Sequence, residues 1–277
     1  MNNYFIRGPA LISFSGGRTS GYMLYKILEA HDFKLPEDVF VTFANTGKEA
    51  EQTLEFVRDC EKHWGVKVHW LEHYFGPERP IHRTKEVSFE TASRNGEPFE
   101  RLIDQRGYLP NPVARFCSSE LKIKVMKRFI VSKGYKHWSN VLGLRYDEPK
   151  RALSARNQTY DPWDNVVPLY DAKATIEDVM EFWENNEFDL KLRSFNGKTL
   201  GGNCDLCFLK NIQTQTMIIK EEPHRAEWWL KQEAKFDNKA NKFRKDRDFI
   251  RIVDLSKQEQ DLFEGLDSDI HTCFCHD

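Results

Sequence analysis

The sequence contains no run of about 18 consecutive apolar residues, the length a membrane-crossing helix requires, and no apolar stretch of signal-peptide length precedes the polar residues that begin at Ser15. A cytoplasmic protein with no membrane partner is therefore expected. Cysteine is scarce, with six in 277 residues, which excludes a small disulfide-stapled scaffold. Glycine and proline (15 and 11 residues) are dispersed, leaving no low-complexity linker and no internal repeat. Charge of one sign is also missing: 41 basic and 43 acidic residues give a net charge of −2, so there is no global attraction to nucleic acid. A local basic surface remains open around Lys122, Lys124, Lys127 and Arg128. No long segment joins low hydrophobicity to like charge, so the chain is expected to fold throughout most of its length.

What is present is an alternation of buried-strand and helix patterns. Ala10-Leu-Ile-Ser-Phe14 is a short apolar run that stops at Ser15-Gly-Gly-Arg-Thr-Ser20, after which Tyr22, Met23, Ile27 and Leu28 recur at helical spacing. Val39 to Ala44 repeats the strand signal, Asn45-Thr-Gly-Lys-Glu49 the polar turn, and Leu54 to Trp64 the helix; Val66 to Leu71 reads as a third strand. Such βαβ units predict an α/β fold, a doubly wound and mainly parallel sheet with helices on both faces. Ligands of these sheets bind at the carboxyl ends of the strands, where both polar turns fall.

Periodicity fades from Gly76 to Arg115, which reads as an insertion or a substrate-facing lid. Helix is predicted again from Ser118 to Lys133, a strand ending at Val141-Leu142, a polar loop from Gly143 to Glu148, and helices at Thr175 to Asn185 and Arg225 to Lys235. We expect residues 1–195 to form a nucleotide-binding α/β domain, and residues 196–277 a cysteine-bearing, partly helical extension packed on it.

Two consecutive glycines between a strand and a helix let backbone N–H groups converge on one point, and Ser15, Thr19 and Ser20 add hydroxyls: a seat for an anion. The loop lacks the Gly-Lys-Ser/Thr ending of a Walker A sequence, which disfavours a kinase or motor ATPase. Its bland alternative is an ordinary βα turn. Arg145 and Arg151 stand in the loop after the strand ending at Val141-Leu142; a planar guanidinium there can grip phosphate or sulfonate oxygens with two parallel hydrogen bonds, although a lone loop arginine is more often solvated surface.

Cys204-Asp-Leu-Cys207 has the spacing that turns two thiolates toward one metal or cluster, and needs two more ligands. Cys117, Cys273 and Cys275 are the candidates; Cys60 lies in an apolar helical pattern and is expected to be a buried core thiol. A redox dithiol, or no special role, are the alternatives for the pair.

Ser15-Gly-Gly-Arg-Thr-Ser20 resembles the PP-loop of the adenine nucleotide α-hydrolase-like superfamily, whose common form is Ser-Gly-Gly-x-Asp-Ser; here Thr19 stands in place of the Asp, which weighs against ATP cleavage. Phe43 to Glu49 is similar to the second-strand motif of its phosphoadenosine phosphosulfate reductase branch. So are Gly143-Leu-Arg-Tyr-Asp-Glu-Pro-Lys-Arg151, and Val167-Pro-Leu169 with Thr175 to Val179, in the same order along nearly the whole chain. The resemblance implies an adenine nucleotide (ATP, adenylyl sulfate or its 3′-phosphorylated form, PAPS, with Mg) held by Ser15, Gly16, Gly17, Arg18, Thr19, Ser20, Asn45, Thr46, Gly47, Glu49 and Gly143. It also implies catalytic roles for Arg145 and Arg151.

Arg115 to Lys122 resembles the segment where cluster-bearing reductases carry a tandem Cys-Cys, which here is Phe116-Cys117. The resemblance implies a 4Fe-4S cluster, with zinc as the alternative, on Cys117, Cys204, Cys207 and one tail cysteine. His271-Thr-Cys-Phe-Cys-His-Asp277 resembles the mobile tail that carries the nucleophile in that family. Cys273 is the expected ligand and Cys275, beside His276, the expected nucleophile; incidental cysteines in a disordered tail are the alternative. Two activities follow. One is reduction of an activated sulfate to sulfite with a thioredoxin-like reductant. The other is ATP-dependent thiolation of tRNA or DNA from a sulfur donor. A non-enzymatic nucleotide or iron-sulfur sensor is a third reading with no positive feature.

Overall fold

The computed structural model describes residues 2–76, 83–195, 198–236 and 242–258. Its elements in chain order are β1 (Ala10–Ser13), α1 (Arg18–Ala30), β2 (Val39–Ala44), α2 (Glu51–Trp64), β3 (Val68–His73), β4 (Thr84–Val87), α3 (Glu97–Arg106), α4 (Phe116–Ser118), a π-helical segment (Ser119–Ile123) and α5 (Lys124–Ser132). Then come β5 (Trp138–Val141), α6 (Pro149–Arg156), β6 (Trp163–Val166), α7 (Pro168–Asp171), α8 (Ile176–Glu184), β7 (Ser194–Phe195), β8 (Lys198–Thr199), α9 (Ile212–Glu221), α10 (Arg225–Ala234) and α11 (Phe249–Ser256).

Six strands form one sheet in the order β4-β3-β2-β1-β5-β6. All neighbours are parallel except β4, which runs antiparallel to β3 at the edge. The expected doubly wound α/β architecture is the one observed. Because the inner strands are covered on both faces, β1 and β3 are buried at every position. Alternate residues point to opposite layers. Ile12, Phe14, Val41, Phe43 and Trp70 join α1, α2 and α8 in one core, whereas Leu11, Phe40 and Leu71 join α5 in another.

Helix α1 buries Met23, Ile27 and Leu28 of the predicted stripe together with Leu24, while Tyr22 is half-buried. Helix α2 stops at Gly65, whose φ of +62° supplies the left-handed cap that an L side chain resists. Helix α8 begins with a reciprocal cap in which Thr175 and Asp178 satisfy each other's backbone N–H groups.

The structure departs from the sequence reading in places. The weakly periodic stretch 76–115 holds β4 and α3, and α3 buries Phe99, Leu102 and Ile103. The helix expected from Ser118 starts at Phe116 and widens into π geometry at Ser119–Ile123, a distortion often found at functional sites. A third core draws on Phe99, Leu102, Phe116 and Leu121 as well as Cys204, Leu206, Phe208, Trp229 and Phe249. The chain after residue 195 thus shares its core with α3 and the π segment. Among the described residues no helix is long and apolar enough to cross a membrane.

Candidate functional site

Strand order places the site. The chain leaves β1 toward one face of the sheet, and the neighbouring β5 belongs to the opposite run of the topology, so the loops after these two strands flank a crevice at the carboxyl edge. The loop after β1 is Ser15–Gly17. Gly16 sits at φ +78°, and a Cβ there would lie 2.7 Å from Thr53 Cγ2. The loop is held closed from within: Ser15 N–H donates to Ser20 Oγ (3.3 Å), the two hydroxyls are 2.9 Å apart, and Ser20 Oγ donates to Gly17 O (3.0 Å). Gly17 is the N-cap of α1, and no side chain caps the helix. The first-turn N–H groups of α1 thus have no capping side chain, an arrangement that favours an anion at a helix start.

The loop after β5 meets it. Arg145 Nη1 donates to Thr19 Oγ1 at 3.1 Å, across 126 positions of sequence. Arg145 also pairs with Asp147 (3.0 Å) and Glu148 (3.3 Å), and Glu148 in turn pairs with Arg151. Gly143, two residues before this arginine, is buried. The two arginines thus share Glu148, Arg145 reaching from it to Thr19 at the start of α1 and Arg151 anchoring it from α6. Arg18 opens α1, and its guanidinium is bidentate to Asp189 (2.7 Å for both bonds) and donates to Leu190 O (2.6 Å), so the side chain braces residues 189 and 190 against the start of that helix. Trp183 Nε1 donates to Arg18 O (2.8 Å), fixing that turn from α8.

On the other side of β1, the turn after β2 is wholly buried and makes contacts that were not foreseen. Asn45 Nδ2 donates to Glu72 (2.7 Å) and to Ser93 O (2.8 Å), and Asn45 Oδ1 accepts from Gly47 N–H (3.1 Å). Thr46 donates to Glu49 through its hydroxyl and through its N–H (2.8 Å). The turn then grips the cysteine segment. Glu49 and Cys204 form an isolated antiparallel bridge, Asp205 N–H donates to Lys48 O (2.7 Å), and Cys204 Sγ lies 3.4 Å from Thr46 Oγ1. Below them Lys48 Nζ pairs with Asp205 (3.2 Å), both side chains being less than a tenth exposed, and Trp229 Nε1 donates to the same carboxylate (2.9 Å). Lys48 and Asp205 were missed in the sequence although each lies inside a motif already singled out.

Cys117, Cys204 and Cys207 converge on this third core: Cys204 is buried within it, and the half-buried Cys117 and Cys207 pack against it. Burial and then the Glu49 carboxylate push the Cys204 thiol above the ordinary thiol range, Cys117 adding to the shift, while Lys122 opposes it. Lys122 Nζ sits 3.8 Å from Glu49 and 3.3 Å from Asn203, placed there by the π-helical turn that follows Cys117's own short helix α4.

Three thiols against one apolar core, with Lys122 near Cys204, are donors of the type a thiolate-ligated cluster uses. Among the described residues no group of three or more His, Cys, Asp or Glu closes to the distances of a single metal ion. A cluster, whose cysteines bind different irons, separates its ligands more than a lone zinc does. Cys273, Cys275 and His276 lie outside the described residues. Cys60 is a core thiol as expected, fully buried and pushed well up by burial and Asp59.

No protein-family model matches the chain. It is 28% identical over 217 residues to the uncharacterized nin region protein ORF290 of Escherichia phage lambda, spanning 76% of this chain and 70% of that protein. It is 30% identical over 169 residues to the uncharacterized protein MJ0066 of Methanocaldococcus jannaschii, spanning 60% of this chain but 29% of that much longer relative. Among solved structures, the U34-tRNA thiolase NcsA from Methanococcus maripaludis with its 4Fe-4S cluster aligns over 91% of this chain and 81% of its own, with a TM-score of 0.43 and 12% identity.

Proposed function

We propose that this chain is an adenine-nucleotide-dependent sulfurtransferase, in which the Ser15–Ser20 loop holds the nucleotide's phosphates and Cys117, Cys204 and Cys207 hold the sulfur centre. The observation that supports the reading is the attachment of Cys204 to the Asn45–Glu49 turn, since that turn follows β2, the strand beside β1 and its Ser15–Ser20 loop. In this chemistry an acceptor oxygen attacks the α-phosphorus of ATP, pyrophosphate leaves, and sulfide-level sulfur then displaces AMP. The first-turn N–H groups of α1 and the Arg145 guanidinium neutralise the phosphate charge. Lys122 stabilises negative charge at Cys204, and Lys48 with Asp205 fixes the cysteine turn against the loop after β2. A cluster bound by the three cysteines and one further ligand would supply a site for carrying sulfur at that edge. The acceptor under this reading is tRNA or DNA.

A second reading, reduction of a sulfonucleotide to sulfite with a thioredoxin-like partner, is favoured by Arg145, whose fork at Thr19 suits a sulfonate as well as a phosphate. It would draw its nucleophile from Cys275. Anaerobically purified protein assayed for iron, sulfide and zinc, and then incubated with labelled ATP, adenylyl sulfate and PAPS, separates the two. Pyrophosphate release that depends on nucleic acid supports thiolation. Sulfite release from a sulfonucleotide without ATP turnover replaces it with reduction, and stoichiometric zinc without iron removes the cluster.

A further inference from the structure

A cavity of about 170 Å³ lies between α5 and the β1-β5-β6 end of the sheet, apart from the loops described above. Its floor is made by two registered rows of parallel strand: Trp138 opposite Trp163, and Leu11, Asn140 and Asn165 side by side. Met126 and Lys127 roof it, and Gln158 and Asp161 stand at its mouth, hydrogen-bonded to each other. It is deep at β1 and β5, where Leu11, Trp138 and Asn140 are buried, and opens at β6, the edge strand.

The chemistry of these walls is unusual for a sheet covered by a helix. A strand flanked on both sides by parallel neighbours is expected to present an apolar side chain toward the helix layer, yet β5 places Asn140 there. Asn140 Nδ2 donates to Asn165 Oδ1 (2.9 Å), and Asn165 Nδ2 donates to Ala155 O (2.9 Å). That chain of amides is directional and leaves Asn140 Oδ1 as an acceptor on the cavity wall. The Trp138 and Trp163 rings, 5.2 Å apart and inclined at 31°, form a broad indole surface, and the Lys127 ammonium lies 5.5 Å over Trp163.

A flat π-surface beside a fixed hydrogen-bond acceptor selects a flat ligand with an N–H on its edge. The volume agrees, since a cavity of about 150 Å³ accepts benzene. We infer that this cavity is a binding site for a single planar nitrogen heterocycle of nucleobase size, stacked on the indoles and donating an edge N–H to Asn140.

Calorimetric titration of the full chain with adenine, cytosine and uracil, with benzene as the apolar control, tests this. One base should bind with a stoichiometry of one, shift the indole N–H resonances of Trp138 and Trp163, and lose about tenfold in affinity in Asn140→Leu, where benzene binding persists. Gln158→Trp, at the half-exposed mouth, should block the base without touching the core. Absence of saturable base binding, or benzene binding as well as the bases with no effect of Asn140→Leu, overturns the site. The base could also belong to a nucleotide held by the Ser15–Ser20 loop; if Asn140→Leu weakens ATP binding as much as base binding, a separate site is overturned. The proposed sulfur chemistry stands or falls independently, on iron content and nucleotide turnover.

Discussion

The Sγ of Cys204 lies 3.4 Å from the Oγ1 of Thr46, a contact made across 158 positions of sequence between the turn after β2 and the Cys-x-x-Cys segment. It is reinforced by Lys48, two residues on from Thr46, and Asp205, next to Cys204, whose ion pair is buried. The turn after β2 and the cysteine turn are therefore one packed unit.

The buried pair gives the first expectation. Lys48→Met leaves Asp205 charged, buried and short of its cation, which should cost about 3–5 kcal/mol. The double variant Lys48→Met with Asp205→Leu should recover much of that loss. Urea unfolding of the two single variants and the double variant, read as a thermodynamic cycle, checks it.

Replacing Cys117, Cys204 or Cys207 by Ser should each lower iron and acid-labile sulfide per chain in anaerobic preparations, with loss of visible absorption. Cys60→Ala should leave iron unchanged and reduce stability alone, because Cys60 lies in the α2 core. Iron retained in all three serine variants would remove the cluster assignment.

Arg145 and Arg18 should separate binding from folding. Arg145→Ala removes a guanidinium from the loop hydroxyl of Thr19 and should weaken nucleotide binding by about 1.5–3 kcal/mol, tenfold to a hundredfold, with little change in stability. Arg18→Ala breaks the bidentate pair with Asp189 and should lower the unfolding midpoint instead. Calorimetric titration and thermal melts on both variants supply the comparison.

Stability should fall with acid in a defined window. His73 is held down to about 4, first by burial and then by the Arg128 guanidinium, against an ordinary value of 6.5. The folded state thus binds fewer protons than the unfolded chain between these limits. Its stabilising effect is complete above pH 6.5 and declines as pH falls toward 4, by up to about 3 kcal/mol. His31 and His69, also lowered by burial, add to the same slope. His73→Gln should flatten the slope in urea midpoints measured from pH 7 to 4. An unchanged slope would refute the assignment.

Gly16 sets the limit of tolerance in the loop. With φ at +78° and Thr53 in the way of any Cβ, Gly16→Ala should be destabilising by more than about 1 kcal/mol, unlike Gly17→Ala, where the nearest atom is 3.7 Å away. Melting temperatures of the two variants provide the test.

The sequence by itself determined the strand-loop-helix series from Ala10 to Leu71, because alternation of apolar runs with polar turns is local information that each segment carries alone. It also marked Cys60 as core through its helical neighbours. It did not determine that α3 and β4 lie within residues 76–115, since Phe99, Leu102 and Ile103 become a buried face only when α10 and α11 supply the facing surface. The roles of Lys48, Asp205 and Lys122 were decided by tertiary structure for the same reason. A lysine in a polar turn reads as solvated until a carboxylate from 157 residues away is packed beside it. Arg18 makes the same point, since nothing near it in sequence announces that its guanidinium pairs with Asp189. Sequence spacing sets which groups are available; burial and long-range pairing set which of them still have a free hand for chemistry.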